Sequence, residues 1–413
     1  MTPPALDEVG REYLWIGLAL GRFEDGLVDA YYGPPEIRTQ AEESDSGPAE
    51  MAARAADLRK RVEELSDRRR ARWLDRQLVA LETLARRMAG EQLEYLDEVE
   101  RCFDARPQPT PSEDYAQVRQ ALDELVPGDG NLRERLDARD ARLTIPTELL
   151  ERVLDWLLTE IRAGCERVLP VPEGESLSMS LVRGQPWSAY NWYDGGLRSR
   201  VEVNTDLPVR APQLIGLLTH ETLPGHHLEH AWKEQRLYRE RGLGEASLQL
   251  INTPEAYVSE GLAEVGGRLL FDDERWRELL VSIGELAGIQ ISAADADRER
   301  AITLQLQALR GSSGDAALQL YVEGRSRDAV RRFLIEDALS APERADKSLD
   351  FIGHPLWRTY VFCYAGGEQL LGDWCAAAGA PAAQRDRFFR LLTEQLTPSG
   401  IAAELQPAHT GTT

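Results

Sequence analysis

Apolar residues recur at three- and four-residue spacings along most of the 413-residue chain, the period of a helix with one buried face. Leu78, Leu81, Leu84 and Met88 form one such series, with Arg and Glu between them. Leu149, Leu150, Val153, Leu154, Leu157 and Leu158 form a second, and Trp276, Leu279, Leu280 and Ile283 a third. Clusters of Pro, Gly, Ser and Asp interrupt the pattern at Ser44 to Pro48, Pro107 to Pro111, Pro127 to Asn131, Pro170 to Glu175, Ser340 to Pro342 and Ala378 to Pro381. None is long or polar enough to be an interdomain linker. Between residues 176 and 204 the period falls to two. Leu177, Met179 and Leu181 alternate with serines, an aromatic-rich run covers Ser188 to Tyr193, and Val201 and Val203 alternate with Arg200, Glu202 and Asn204. Asp194-Gly195-Gly196 is a hairpin turn signal between the last two runs. The pattern predicts a mainly α fold with one small antiparallel sheet. It divides into an N-terminal helical region (1–175), a central region of sheet and helices (176–270) and a C-terminal helical region (271–413), together one compact unit.

Charge narrows the partners. With 48 basic against 70 acidic side chains the net charge is −22, which argues against nucleic acid and against an anionic membrane surface as partners. No run approaches the roughly 18 uncharged apolar residues that span a bilayer. Cys102, Cys165, Cys363 and Cys375 lie far apart with no C-x-x-C pair, the pattern of free thiols in a reducing compartment. The first residues show neither the basic patch nor the apolar core of a secretory signal, so the expected location is cytoplasmic. The sequence leaves a homodimer open.

Candidate chemistry is concentrated in one place. Four of the six histidines lie between His220 and His230, where a random 11-residue window would hold about 0.2. Pro212 suits a first helical turn, and Leu214, Ile215, Leu217 and Leu218 bury the helix that follows, so His220 and Glu221 emerge at its end. His-Glu on a helix opens the H-E-x-x-H zinc motif, in which histidines at i and i+4 chelate the metal and the Glu activates water. Here i+4 is Pro224. In an unbroken helix His226 would sit about 120° around and roughly 9 Å along from His220, too far to share an ion. The chemistry therefore requires Pro224-Gly225 to break the helix and bring His226 back beside His220. Downstream, Thr253-Pro254 starts a helix on which Glu260 and Glu264 share a face, a pairing of like charges that a metal or a ligating imidazole would turn to advantage.

The segment His220-Glu221-Thr222-Leu223-Pro224-Gly225-His226-His227 resembles the H-E-x-x-P-G-H-H signature of a bacterial family known as domain of unknown function 885, related to carboxypeptidase Taq-like gluzincin peptidases. Ser259-Glu260-Gly261-Leu262-Ala263 is similar to that family's E-G-W-A element, with Leu262 in place of Trp. The Val201 to Asp206 segment resembles its V-N-T-D element, and Tyr364-Ala365-Gly366-Gly367 its Y-x-x-G element. The resemblance implies a large helical metallopeptidase-like domain with a deep cleft, holding one Zn2+ per chain through His220, His226 and Glu260. It makes Glu221 the general base that activates a metal-bound water against a peptide carbonyl. His227 and His230 remain alternative ligands, because both have helical chelating spacings with a neighbour, and Glu264 is placed to orient a ligating histidine. Tyr364 is the first choice for an oxyanion donor, ahead of Tyr360 and His354. Asn204 and Tyr193 are placed in a peptide groove along the strand around Val201 to Asn204. The expected function is zinc-dependent hydrolysis of a peptide or small amide. The alternatives are a catalytically inactive peptide- or ligand-binding relative and a metal-dependent amidase or esterase on a non-peptide.

Overall fold

The computed structural model describes residues 6 to 185 and 187 to 406. Most of the chain is helical, and several helices start with proline in their first turn, where a missing N–H costs nothing: Pro48, Pro254, Pro342, Pro381 and Pro398. The three periodic series fall in the helices Arg68–Met88, Thr147–Val168 and Asp273–Ala287. Their apolar faces bury Leu78, Leu81, Leu84, Val153, Leu157, Leu279, Leu280 and Ile283 almost completely. Each such side chain contributes about 1.5–3 kcal/mol relative to exposure.

Buried apolar side chains gather into two large clusters. One draws on Tyr13, Leu74, Phe103, Leu248 and Leu349, the other on Leu154, Leu218, Leu279 and Phe388. Four helices between and beside them carry the candidate site: α1 (Ala211–Glu221), α2 (His226–Lys233), α3 (Pro254–Leu270) and α4 (Val361–Ala376). Helices α3 and α4 contribute to both clusters, with Tyr257 and Phe362 in the first and Leu262 and Trp374 in the second. They approach closely because Gly261 faces Gly367: a Cβ on Gly261 would lie 2.5 Å from the Gly367 backbone.

Among the described residues, five strands accompany the helices: β1 (Val28–Tyr31), β2 (Ser176–Val182), β3 (Ala189–Tyr193), β4 (Arg198–Asn204) and β5 (Leu248–Leu250). Strands β3 and β4 form the expected antiparallel hairpin, closed by Gly195, Gly196 and Leu197 at φ values of 71°, 71° and 62°. The sheet as a whole is mixed rather than antiparallel, because β2 pairs parallel to β4 in the order β2-β4-β3. Alternation sets which face of a strand is buried, not the direction of its neighbour. A second sheet, β1 antiparallel to β5, gave no sequence signal, being four and three residues long.

Candidate metal centre

The helix breaks where Pro224-Gly225 requires. α1 ends at Glu221, α2 begins at His226, and Thr222 between them has ψ −109°. The loop folds back on α1: Gly225 N–H donates to the Thr219 carbonyl at 3.1 Å, and Thr222 Oγ1 donates to the Leu218 carbonyl at 2.5 Å. Only glycine fits at 225, since a Cβ there would lie 1.9 Å from the His220 carbonyl oxygen.

This turn brings the two imidazoles together. His226 Nε2 lies 3.2 Å from His220 Nε2, with the rings perpendicular and their centroids 4.7 Å apart. Glu260 arrives from α3, its Oε2 3.4 Å from His220 Nε2 and 3.9 Å from His226 Nε2. One ligand atom from each of His220, His226 and Glu260 lies within 4.8 Å of the others. Glu260 Oε1 accepts a hydrogen bond from Tyr360 at 2.6 Å, whereas the buried Oε2 has no partner. A buried carboxylate oxygen left unpaired between two imidazole nitrogens is costly as it stands and is what a shared cation would satisfy. The three residues fit a zinc ion in donor type and in proximity.

The surrounding charges favour a cation as well. Burial opposes charge on His226, but Glu229, Glu260 and Glu221 outweigh it and push its pKa up to about 10. His220 is raised too, burial being outweighed by Glu260, Glu221 and Glu264. Burial is the main cause of an upward shift at Glu221, opposed by His220 and His226. Burial also pushes Glu260 up, but the adjacent His220 imidazole and the nearby His226 charge leave it below the usual range.

The remaining expected site residues divide into two groups. Glu264 Oε1 stands 3.6 Å from His220 Nδ1, and Arg310 bonds the other oxygen of the same carboxylate. Tyr364 packs edge-on against Tyr360, with ring centroids 5.7 Å apart, and its hydroxyl has no hydrogen bond among the described residues. Glu260 and Glu221 are close enough to add to the burial that raises the Tyr364 pKa. The second group is outside the set of three converging ligand atoms. His227 turns away to Ser199 at 2.8 Å and Glu175 at 2.6 Å, pinning α2 to β4. His230 stacks parallel on His226 at 6.0 Å, beside Tyr193. The Tyr193 hydroxyl donates to Glu234, and Asn204 Nδ2 donates to the Gln185 and Trp187 carbonyls. His354 is exposed and accepts from the Leu356 N–H at 3.2 Å. The groove expected along Val201 to Asn204 needs correction: β4 is paired on both sides and has no free backbone edge to offer a peptide.

Several neighbours gave no sequence signal because tertiary folding alone brings them in. Asn191 Nδ2 on β3 donates to the Glu221 carbonyl at 2.7 Å and anchors the end of α1. Tyr190, on the same strand, donates to Asp29 on β1. Burial chiefly, then the charges of Asp29, Glu260 and Glu221, raise the Tyr190 pKa. Behind His226 lie Ser259, Glu229, Lys233 and Glu255, all buried.

No family model matches the chain, and no curated protein matches it. Among solved structures it is similar to one described as a putative lipoprotein from Colwellia psychrerythraea, at 15% identity and TM-score 0.54, over 87% of this chain and 67% of that one. A putative lipoprotein of unknown function from Shewanella oneidensis matches at 11% identity and TM-score 0.50, over 96% and 83%. An M32 carboxypeptidase from Deinococcus radiodurans R1 matches at 13% identity and TM-score 0.36, over 94% and 89%. The first two similarities show a shared, mostly helical fold. No helix among the described residues is long and apolar enough to cross a membrane.

Proposed function

We propose that the chain is a zinc-dependent hydrolase of peptides or small amides and a member of the family whose H-E-x-x-P-G-H-H signature it resembles. The observation that carries this reading is the convergence of His220, His226 and Glu260 around an unpaired buried carboxylate oxygen, with Glu221 at the end of the same helix turn. His220, His226 and Glu260 would hold the ion. Zinc in such a site supplies Lewis-acid polarisation and a water acidic enough to ionise near neutral pH.

The chain's own residues do the rest. Glu221, buried and with no hydrogen bond to its carboxylate among the described residues, takes a proton from the attacking water and delivers it to the leaving nitrogen. The Tyr364 hydroxyl donates to the oxygen that gains charge as the carbonyl is attacked. Tyr360, committed to Glu260 Oε1, fixes that carboxylate so that Oε2 faces the two imidazoles. Four free and buried cysteines support a reducing compartment as the place of action.

Metal analysis of protein purified without a histidine tag tests the reading. About one zinc per chain is expected, lost in His220→Ala and Glu260→Ala and retained in Glu221→Gln. Glu221→Gln should abolish cleavage of a peptide and amide library. Cleavage that persists in Glu221→Gln, or a zinc-replete protein with no bound metal, would overturn it.

A further inference from the structure

We infer that Ser259 and Glu229, held in place by Lys233, are positioning residues that fix a hydrogen on His226 Nδ1 and so commit Nε2 to metal binding. The inference rests on the metal-site reading above and deepens it.

The hydrogen-bond arithmetic starts at the far end. Lys233 is buried, with Nζ 2.7 Å from Glu229 Oε1 and 2.9 Å from Glu255 Oε1. It is one of only three lysines in the chain. An ammonium only donates, so Glu229 Oε1 accepts. The Ser259 hydroxyl donates to the other oxygen, Glu229 Oε2, at 2.5 Å. A hydroxyl carries a single hydrogen, and this one is spent on Glu229. Ser259 Oγ can therefore only accept from its other neighbour, His226 Nδ1, 3.1 Å away. Glu229 Oε2 itself, 3.7 Å from Nδ1, is also solely an acceptor. Every group facing Nδ1 thus asks it to donate. The opposite ring nitrogen, Nε2, is the one aimed at His220 and Glu260.

Each link has a geometric origin. Glu229 and Lys233 are i and i+4 on α2, one turn beyond His226, and Ser259 is the residue before Glu260 on α3. One short chain of polar groups therefore controls the aim of a ligand on one helix from the same turn that presents a ligand on the next. The usual direct contact between a ligating histidine and a carboxylate becomes a relay through a serine. Glu229→Gln would leave the Lys233–Glu255 pair intact, so no buried cation is stranded; with its one oxygen turned to the Lys233 ammonium, the amide would present Ser259 with an N–H donor in place of an acceptor.

Two measurements test the assignment. Nitrogen-15 NMR of the metal-free wild-type protein, taken at alkaline pH where the His226 ring has lost its second proton, should show the remaining hydrogen on Nδ1. A ring protonated only at Nε2 would overturn the proposal, whatever the protein does with metal. Competition with a chelator should show Ser259→Ala and Glu229→Gln each weakening zinc affinity by roughly 10- to 100-fold, with melting of the metal-free proteins near wild type. The double variant should be little worse than the poorer single one, because the two residues act as one chain. Affinities within about threefold of wild type, or losses that add in full, would overturn the relay. A wild-type protein that bound no zinc would sink the metalloenzyme reading, and the NMR result would still decide the tautomer.

Discussion

Gly225 concentrates the site's geometry into a single missing methyl group. The site needs His226 beside His220, and the turn that achieves it runs the chain against the His220 carbonyl, 1.9 Å from where a side chain would begin. Gly225→Ala must therefore push the turn away from α1, at a cost of about 1–3 kcal/mol or more. Zinc affinity should fall at least tenfold while Gly216→Ala, on the same helix with open space around its Cβ position, leaves it unchanged. Chelator competition on the two variants checks this, and equal affinities would refute it. At this scale the sequence was informative about composition but not about aim. The density of histidines and the Pro-Gly step pointed to His220, His226 and the break between them. Which way His227 and His230 face depends on where β4 and Tyr193 pack against α2, and no local pattern carries that information. The role of Ser259 was invisible for the same reason: it matters only through His226 and Glu229 on another helix.

Among the elements, the junction between sheet and α2 has a defined response to acid. Glu175, just before β2, accepts from His227 on α2 and from Arg162 on the helix Thr147–Val168. Burial pushes its pKa up, but these two hydrogen bonds and charges win and bring it down to about 2. A carboxyl with a lowered folded-state pKa contributes stability that is complete above its unfolded value near 4.5 and lost as pH falls toward 2. Glu175→Gln should therefore flatten the dependence of unfolding free energy on pH between about 4.5 and 2, and lower stability at pH 7. Urea titrations across that range read the difference; parallel curves would show that the junction contributes nothing. The same region shows what periodicity can carry. Alternation located β2, β3 and β4 to within two residues at their ends, yet could not show that β2 runs parallel to β4, since a strand presents the same faces in either direction. Short strands fared worse: β1 and β5 are held by each other and by the packing of Leu248 and Leu250, and neither shows a period of its own.

Across the whole molecule, the candidate centre lies on the helices that join the two apolar clusters. α3 places Tyr257 in one and Leu262 in the other within a turn and a half, and Glu260 sits between them in sequence. α4 repeats the arrangement with Phe362 and Trp374, carrying Tyr364 between. Two imidazoles from the α1–α2 turn, which packs in the second cluster through Leu214, Leu218 and Leu228, face the Glu260 carboxylate from α3. An ion shared among them would tie that turn to the helix common to both clusters, so metal affinity should appear as global stability. Binding to the folded chain alone adds about 2.7 kcal/mol when free zinc is 100 times the dissociation constant. For a chain of this size that amounts to a rise in melting temperature of a few degrees, less per kcal/mol than in a small domain. Calorimetry with and without zinc should show the increase in wild type and in Glu221→Gln, which keeps all three ligands. It should be absent in Glu260→Ala, whose metal-free form is expected to melt lower than wild type because the buried Tyr360 hydroxyl loses its acceptor. A zinc-dependent rise of equal size in Glu260→Ala would mean that the ion sits elsewhere, and that the convergence of the three side chains has another cause.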